Sequence, residues 1–244
     1  MTTSKKELIA LQFPFFEDSY EENLEKLIGY IKKTPTGSVV VAPELCLTNF
    51  SFDKMQEAAD FGKKALVELQ ELSKDRVIAF TLTEKIEDKF YNSAKILYDG
   101  KVMHTQPKAK LFKFGDEDKY FQSGTEENIK IVEIDGLKYA ILICFEIRFI
   151  KFWEQLQGAD IIMIPALWGK LRKEQFEAIT KSMAIINQAF VIASDSSNSD
   201  MASSSGIITP FGKELRDDSS GYITFTADLK EIKKMRRYMD IGIS

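Results

Sequence analysis

The chain has 244 residues, with 33 basic and 37 acidic side chains, a formal net charge of −4 and 44% apolar residues. That balance suits a folded body with ample core and gives no basic footprint for a nucleic acid. One histidine, His104, and two cysteines, Cys46 and Cys144, all but exclude a His-built metal site, Ser-His-Asp chemistry and a disulfide framework.

The chain opens with a predicted strand over 7–13 and a helix over 20–33, where Ser19 followed by Glu22 has the spacing of a capping box. The β-branched run 38–42 reads as a strand buried on both faces. A long helix over 54–74 follows, with Ala58, Phe61, Ala65, Leu69 and Leu72 at helical spacing. Strands over 76–83 and 94–98 come next, and Asp99-Gly100 turns the backbone into a strand over 102–105. His104, inside that short polar-flanked strand, reads as a solvated histidine ahead of a lone general base.

The second half repeats this grammar. A hairpin through Asp135-Gly136 joins strands over 129–134 and 137–143, and a short helix over 149–157 leads to a strand over 160–164. A helix over 173–188 precedes strands over 189–194, 206–209 and 222–225, and Asp228 caps a last helix over 229–238. Each half thus contains a β-α-β-α-β-β run. Helices with one apolar stripe, on sheets that need a second apolar face, predict an α/β fold, a four-layer α-β-β-α sandwich. No linker divides the halves, so a single domain over 1–244 is expected. The serine-rich stretch 194–206 reads as a surface loop beside a site.

No apolar run reaches membrane-spanning length; the longest, 161–168, is interrupted by Pro165. The N-terminal stretch, broken by Gln12, Pro14, Glu17 and Asp18, is a poor secretion signal, so a cytoplasmic protein without membrane partners is expected. No two glycines stand two apart and no Gly-x-x-x-x-Gly-Lys cradle exists, which argues against a dinucleotide or nucleotide-phosphate site.

Three segments put a reactive side chain directly after an apolar strand, where α/β sheets hold ligands. They are Val40-Val41-Ala42-Pro43-Glu44, Gln106-Pro107-Lys108-Ala109-Lys110 and Ile143-Cys144-Phe145-Glu146-Ile147-Arg148. Taken singly, each has a plainer reading: a surface or capping carboxylate, a solvated loop cation, a small buried hydrophobe. Together they are a coherent chemical set. A thiol needs a base or cation to act near neutral pH, and with no spare histidine a carboxylate and an ammonium are what the sequence offers.

These segments resemble the nitrilase superfamily of carbon–nitrogen hydrolases, whose signature is a Glu-Lys-Cys triad. The likeness extends to Glu117-Asp118-Lys119-Tyr120-Phe121 with Gly124, to Gly158-Ala159-Asp160 and Ile164-Pro165-Ala166-Leu167-Trp168, and to Asn187-Gln188-Ala189-Phe190-Val191-Ile192-Ala193 and Pro210-Phe211-Gly212-Lys213-Glu214. It covers nearly the whole sequence in order. The sequence departs from the family at Lys110 (often His), Glu146 (often Asp), Leu167 (often Asn) and Ile186 (often Glu).

The resemblance implies hydrolysis of a small aliphatic amide, such as an ω-amide of a dicarboxylic acid, through a Cys144 thioester with release of ammonia. Glu44 is then the general base, Lys108 and the Phe145 N–H hold the oxyanion, and Glu117 orients the substrate or Lys108. Phe145 and Trp168 are the expected substrate-side positions, and Arg148 is expected to tie the nucleophile turn rather than meet a substrate carboxylate. No cofactor or metal is implied, water is the second substrate, and a homodimer or higher homo-oligomer is expected. Cys46 is expected to be a packed thiol. The sequence ends soon after Tyr238, without the C-terminal extension of true nitrilases or a nucleotide segment, which favours an amide. Nitrile and N-carbamoyl hydrolysis, or a catalytically silent binding or scaffold protein of the same fold, are the alternatives. A redox thiol leaves Glu44 and Lys108 without a role.

Overall fold

The computed structural model describes residues 5–243; residues 1–4 and 244 of the expected domain lie outside the described residues. Strands β1 (Lys5–Leu11), β2 (Val39–Val41), β3 (Val77–Ile86), β4 (Lys89–Tyr98) and β5 (Lys101–Pro107) form one sheet in sequence order. A second sheet holds β6 (Val132–Ile134), β7 (Leu137–Ile141), β8 (Ile161–Pro165), β9 (Phe190–Ser194), β10 (Gly206–Ile208) and β11 (Glu214–Arg216).

The period-two alternation of β1 explains the layering. Leu8 and Ala10 join Val39, Val41, Val77 and Ala79 in a core shared with the second sheet, while Ile9 and Leu11 join Val40, Ile78 and Phe80 beneath the helices. Helix α1 (Tyr20–Lys32) presents Leu24, Leu27 and Ile31, and α2 (Met55–Leu72) presents Ala58, Phe61, Ala65 and Leu69 to that outer face. The short α3 (Glu117–Tyr120) lies between the sheets in sequence. On the second sheet, α4 (Ile150–Gln155) buries Phe152 and Trp153, and α5 (Lys173–Asn187) buries Phe176, Thr180 and Ala184. The result is the expected four-layer α-β-β-α sandwich.

Three expectations need correction. The strand placed at the end of the second half, β12 (Tyr222–Asp228), pairs antiparallel with all seven residues of β1 and completes the first sheet. A partner along that whole edge satisfies main-chain groups that the three-residue β11 could not match. Ser19 occupies the N-cap of α1 but its side chain makes no capping bond. Asp228 stands one residue ahead of the N-cap position, Leu229, and accepts the Lys230 N–H at 3.1 Å where α6 (Lys230–Tyr238) begins. His104 is buried rather than solvated, facing Gln106 Oε1 at 3.4 Å, and burial holds its pKa below the usual imidazole value.

Among the described residues no helix is long and apolar enough to cross a membrane.

Candidate active site

The three strand-end segments converge at one end of the sandwich. Beyond β2, Ala42-Pro43-Glu44 carries Glu44 into full burial, and its N–H bonds the Ala166 C=O after β8 at 3.1 Å. Beyond β5, the Lys108 N–H extends the ladder to the Asn92 C=O of β4 at 2.8 Å. Gly124 closes over this segment, donating its N–H to the Lys108 C=O at 2.8 Å. A Cβ on Gly124 would lie 2.2 Å from the Pro107 oxygen, so the approach admits only glycine. Beyond β7, Leu142 stays paired to Met163 C=O at 3.0 Å, and the backbone then turns through φ +45° at Cys144. That left-handed conformation costs energy in a non-glycine residue and is held here by the tight turn Cys144–Arg148.

Glu146 pins the turn to the lysine segment. Its Oε1 accepts the Ala109 N–H at 2.6 Å, and its Oε2 accepts the Ile143 N–H at 2.8 Å and the Gln106 amide at 3.4 Å. Burial pushes the Glu146 carboxyl up to about 7, against the pull of those N–H groups. Asp195, just beyond β9, acts in parallel. Its Oδ1 accepts the Trp168 N–H at 2.8 Å, and burial pushes the group up to about 8.

At the centre, Lys108 Nζ donates to Glu44 Oε1 at 2.7 Å and to Glu117 Oε1 at 2.8 Å, all three side chains being buried. Burial alone would pull the ammonium's pKa down, but the two carboxylates outweigh it and hold Lys108 charged. Glu117 stays anchored because Oε2 accepts the Phe112 N–H at 3.1 Å; burial raises its pKa, opposed by Lys108. Leu167 links the Glu44 carboxylate to the thiol: its N–H reaches Glu44 Oε2 at 3.3 Å, and its C=O faces Cys144 Sγ at 3.8 Å. Burial and the negative charge of Glu44 keep the Cys144 thiol protonated at rest, with Lys108 opposing. A thiol beside an acceptor carboxylate and a fixed cation can attack a carbonyl and have the resulting oxyanion held.

Cys144, Phe145, Glu117 and Trp168 all line one cavity of about 200 Å³. Its walls come from Phe50 and Phe52, from Gly115 and Glu117, and from Trp168 and Arg172. The serine-rich stretch 194–206 is no surface loop at its ends. Ser194, Ser196, Ser204 and Ser205 are buried, with Ser194 Oγ bonded to the Leu11 C=O at 2.6 Å, and the segment backs Trp168 through Asp195.

Arg148 ties the turn to α5 and not to Glu146. Glu146 points inward and Arg148 outward, where it donates to Gln175 Oε1 at 2.5 Å and lines the cavity with its guanidinium 4.9 Å from the Trp168 ring centroid. Sequence reasoning missed its companion Arg172, 5.3 Å over the Phe112 ring; an Arg between Leu171 and Lys173 carries no pattern to betray it. Two of the four family departures lie off the site: Lys110 pairs with Glu126 at 2.7 Å and Ile186 is half exposed on α5, whereas Glu146 and Leu167 belong to it. Cys46 is buried in the core under α1 and α2, as expected, and burial raises its pKa. Among the described residues no group of three or more His, Cys, Asp or Glu side chains could hold a metal ion.

Residues 10–237 match the carbon-nitrogen hydrolase family model. The sequence is 29% identical to the 2-oxoglutaramate amidase of Bacillus subtilis (strain 168), over 95% of this protein and 94% of that one. It is 23% identical to the omega-amidase YafV of Escherichia coli (strain K12), over 87% and 82% of the two proteins. In fold it resembles Saccharomyces cerevisiae Nit3, a member of branch 10 of the nitrilase superfamily, with a TM-score of 0.85 at 20% identity over 98% of this protein and 95% of that one. A CN-hydrolase superfamily protein from Xanthomonas campestris, solved with an arsenic adduct in its active site, gives 0.86 at 18% identity over 96% and 95%.

Proposed function

The protein belongs to the carbon-nitrogen hydrolase family, and on that premise we propose that Glu44, Lys108, Cys144 and Glu117 form its catalytic group and that the substrate is the ω-amide of a short dicarboxylic acid. The observation that carries the substrate class is the pair of guanidiniums, Arg148 and Arg172, in a largely aromatic cavity that Cys144 and Glu117 also line. Arginine forks suit a carboxylate, and a short acyl spacer sets that carboxylate one small molecule's length from the scissile amide. The 2-oxoglutarate skeleton in the name of the Bacillus relative has a carboxylate at that distance.

In this reading the Cys144 thiol gives its proton to Glu44 as sulfur attacks the amide carbon. Lys108 and the Phe145 N–H stabilise the oxyanion, Glu44 passes the proton to nitrogen, and ammonia leaves a thioester. Glu44 then takes a proton from water, whose oxygen attacks the thioester carbonyl. The acid departs as the proton returns to sulfur. Glu117 holds Lys108 from the side opposite Glu44 throughout.

The test compares ammonia release from succinamate and from butyramide, equal in carbon number and differing in the terminal carboxylate. We expect kcat/KM at least ~100-fold higher for succinamate, falling to near parity in Arg148→Ala/Arg172→Ala. Equal rates for both amides in the wild type would remove the carboxylate from the proposal. Faster release from an N-carbamoyl amino acid or a nitrile would replace the amide.

One domain over the whole sequence, a cytoplasmic setting and a homodimer complete the proposal. Both cysteines are free and buried, which suits a reducing compartment, and Ile150 on α4 is exposed and available for a second copy. No nucleic acid or membrane partner is proposed.

A further inference from the structure

Asn92 meets two members of the site at once. It lies fully buried near the start of β4, where its backbone carbonyl receives the Lys108 N–H at 2.8 Å and its side-chain Nδ2 donates to Glu44 Oε1 at 2.8 Å. Its own Oδ1 is buried without a hydrogen-bond partner among the described residues. A carboxylate only accepts, so the amide must turn its NH₂ toward Glu44 and leave its oxygen orphaned. An orphaned buried acceptor is a cost that an apolar side group of the same size would avoid.

The two carboxylate oxygens of Glu44 are consequently unequal. Oε1 receives two short donors, Lys108 Nζ at 2.7 Å and Asn92 Nδ2 at 2.8 Å, which fill both of its in-plane lone pairs. Oε2 receives only the Leu167 N–H, at 3.3 Å, and Leu167 is also the residue whose C=O faces the Cys144 sulfur. We propose that Asn92 is a positioning residue that closes Oε1 to protons, so that Oε2 is the oxygen that exchanges the proton with Cys144. This rests on Glu44 as the proton carrier, as proposed above. Lys108 alone does not close Oε1: without Asn92 one lone pair stands open, the carboxylate can rotate, and a proton can settle where it cannot return to the leaving nitrogen.

Because the backbone half of the anchor survives any substitution, a variant isolates the half made by the amide group. Asn92→Leu keeps the branched shape and the heavy-atom count and removes both the donor and the orphan, so the melting temperature should hold within a few degrees. With succinamate, kcat should fall about 10- to 100-fold while KM stays within about threefold, since Asn92 does not line the cavity. Alkylation of Cys144 by chloroacetamide should slow in the same proportion, because it too needs the thiol proton taken up. If Asn92→Leu does not fold, Asn92→Ala, which also removes the donor and is smaller, is read in the same way. Wild-type kcat and alkylation in the variant, beside an inactive Glu44→Gln, would overturn this inference alone. A loss confined to KM would do the same, and full activity in Glu44→Gln would overturn the site proposal and this inference with it.

Discussion

The two sheets share one sequence of pairings and differ in how they hold their buried acids. From β12 to β5 the pairs run antiparallel, parallel, parallel, antiparallel, antiparallel, and from β6 to β11 they run the same. In the first half the closing strands β3, β4 and β5 are 10, 10 and 7 residues long; their counterparts β9, β10 and β11 are 5, 3 and 3. The extra reach of β4 and β5 brings Asn92 and Lys108 to the end of the sheet where Glu44 emerges from β2. Glu44 and Glu117 therefore share an ammonium, whereas Glu146 and Asp195 of the second half rest mainly on main-chain N–H groups. One topology thus carries acids paired to a buried ammonium on one side and acids supported mainly by main-chain N–H groups beside Cys144 on the other. The repeat explains the fold, and the strand ends explain the chemistry.

The sharpest way to break this contrast is to exchange the fates of the two cysteines. Cys144→Ala should abolish ammonia release, while Cys46→Ala, a cavity-sized change in a buried thiol, should leave kcat near wild type and cost only stability. Iodoacetamide should label Cys144 and spare Cys46; the reverse pattern would move the nucleophile to the wrong half. Glu44→Gln should follow closely, lowering kcat about 10²- to 10⁴-fold with the fold intact, as measured by ammonia release and circular dichroism.

Gly124→Ala tests whether the reach of β5 is what matters. The added methyl meets the Pro107 oxygen at 2.2 Å, so the Lys108 segment must move. A shift of this order should lower kcat about 10- to 100-fold and depress the melting temperature. Gly136→Ala, in the β6–β7 hairpin of the second half, faces no neighbour within 4 Å and changes only a strained turn at φ +73°. It should reduce stability without touching kcat, measured by thermal melts beside initial rates.

What the sequence made legible follows the same division. Glu44, Lys108 and Cys144 each end an apolar strand, and that local pattern locates them without knowledge of the partner sheet. Asn92 and Arg172 needed the partner. A polar residue ahead of the run 94–98 looks like a strand flank until the register of β4 against β5 shows it buried beside Lys108. Glu146 and Arg148 stand two residues apart in sequence, but the tight turn after Cys144 sends them to opposite sides. The serines of 194–206 looked solvated because composition cannot show that their hydroxyls satisfy main-chain oxygens of the first sheet. β12 was assigned to the wrong half because β-strand pairing across two hundred residues leaves no local trace.

The smallest effect sharpens the contrast most directly, through pH. A carboxyl whose pKa is raised by folding binds its proton more tightly in the native state than in the unfolded state. Its stabilising contribution is complete below the unfolded value, near 4, and is lost as pH rises through the folded value. For Glu146, pushed up to about 7, and Asp195, pushed up to about 8, that loss spans the range from about 4 to about 8. The melting temperature should therefore decline between pH 5 and pH 8. Asp195→Asn removes one titrating group, so that decline should flatten by a few degrees, with Glu146→Gln doing the same over a range ending lower. Asp195→Asn keeps an oxygen for the Trp168 N–H and so separates the loss of a titration from the loss of a hydrogen bond; Glu146→Gln keeps one for the Ala109 N–H but turns its NH₂ toward the Ile143 N–H, which adds a pH-independent loss. A decline of unchanged slope in both variants would mean that the second half carries its acids charged, as the first half does, and the distinction between the two sheets would reduce to strand length.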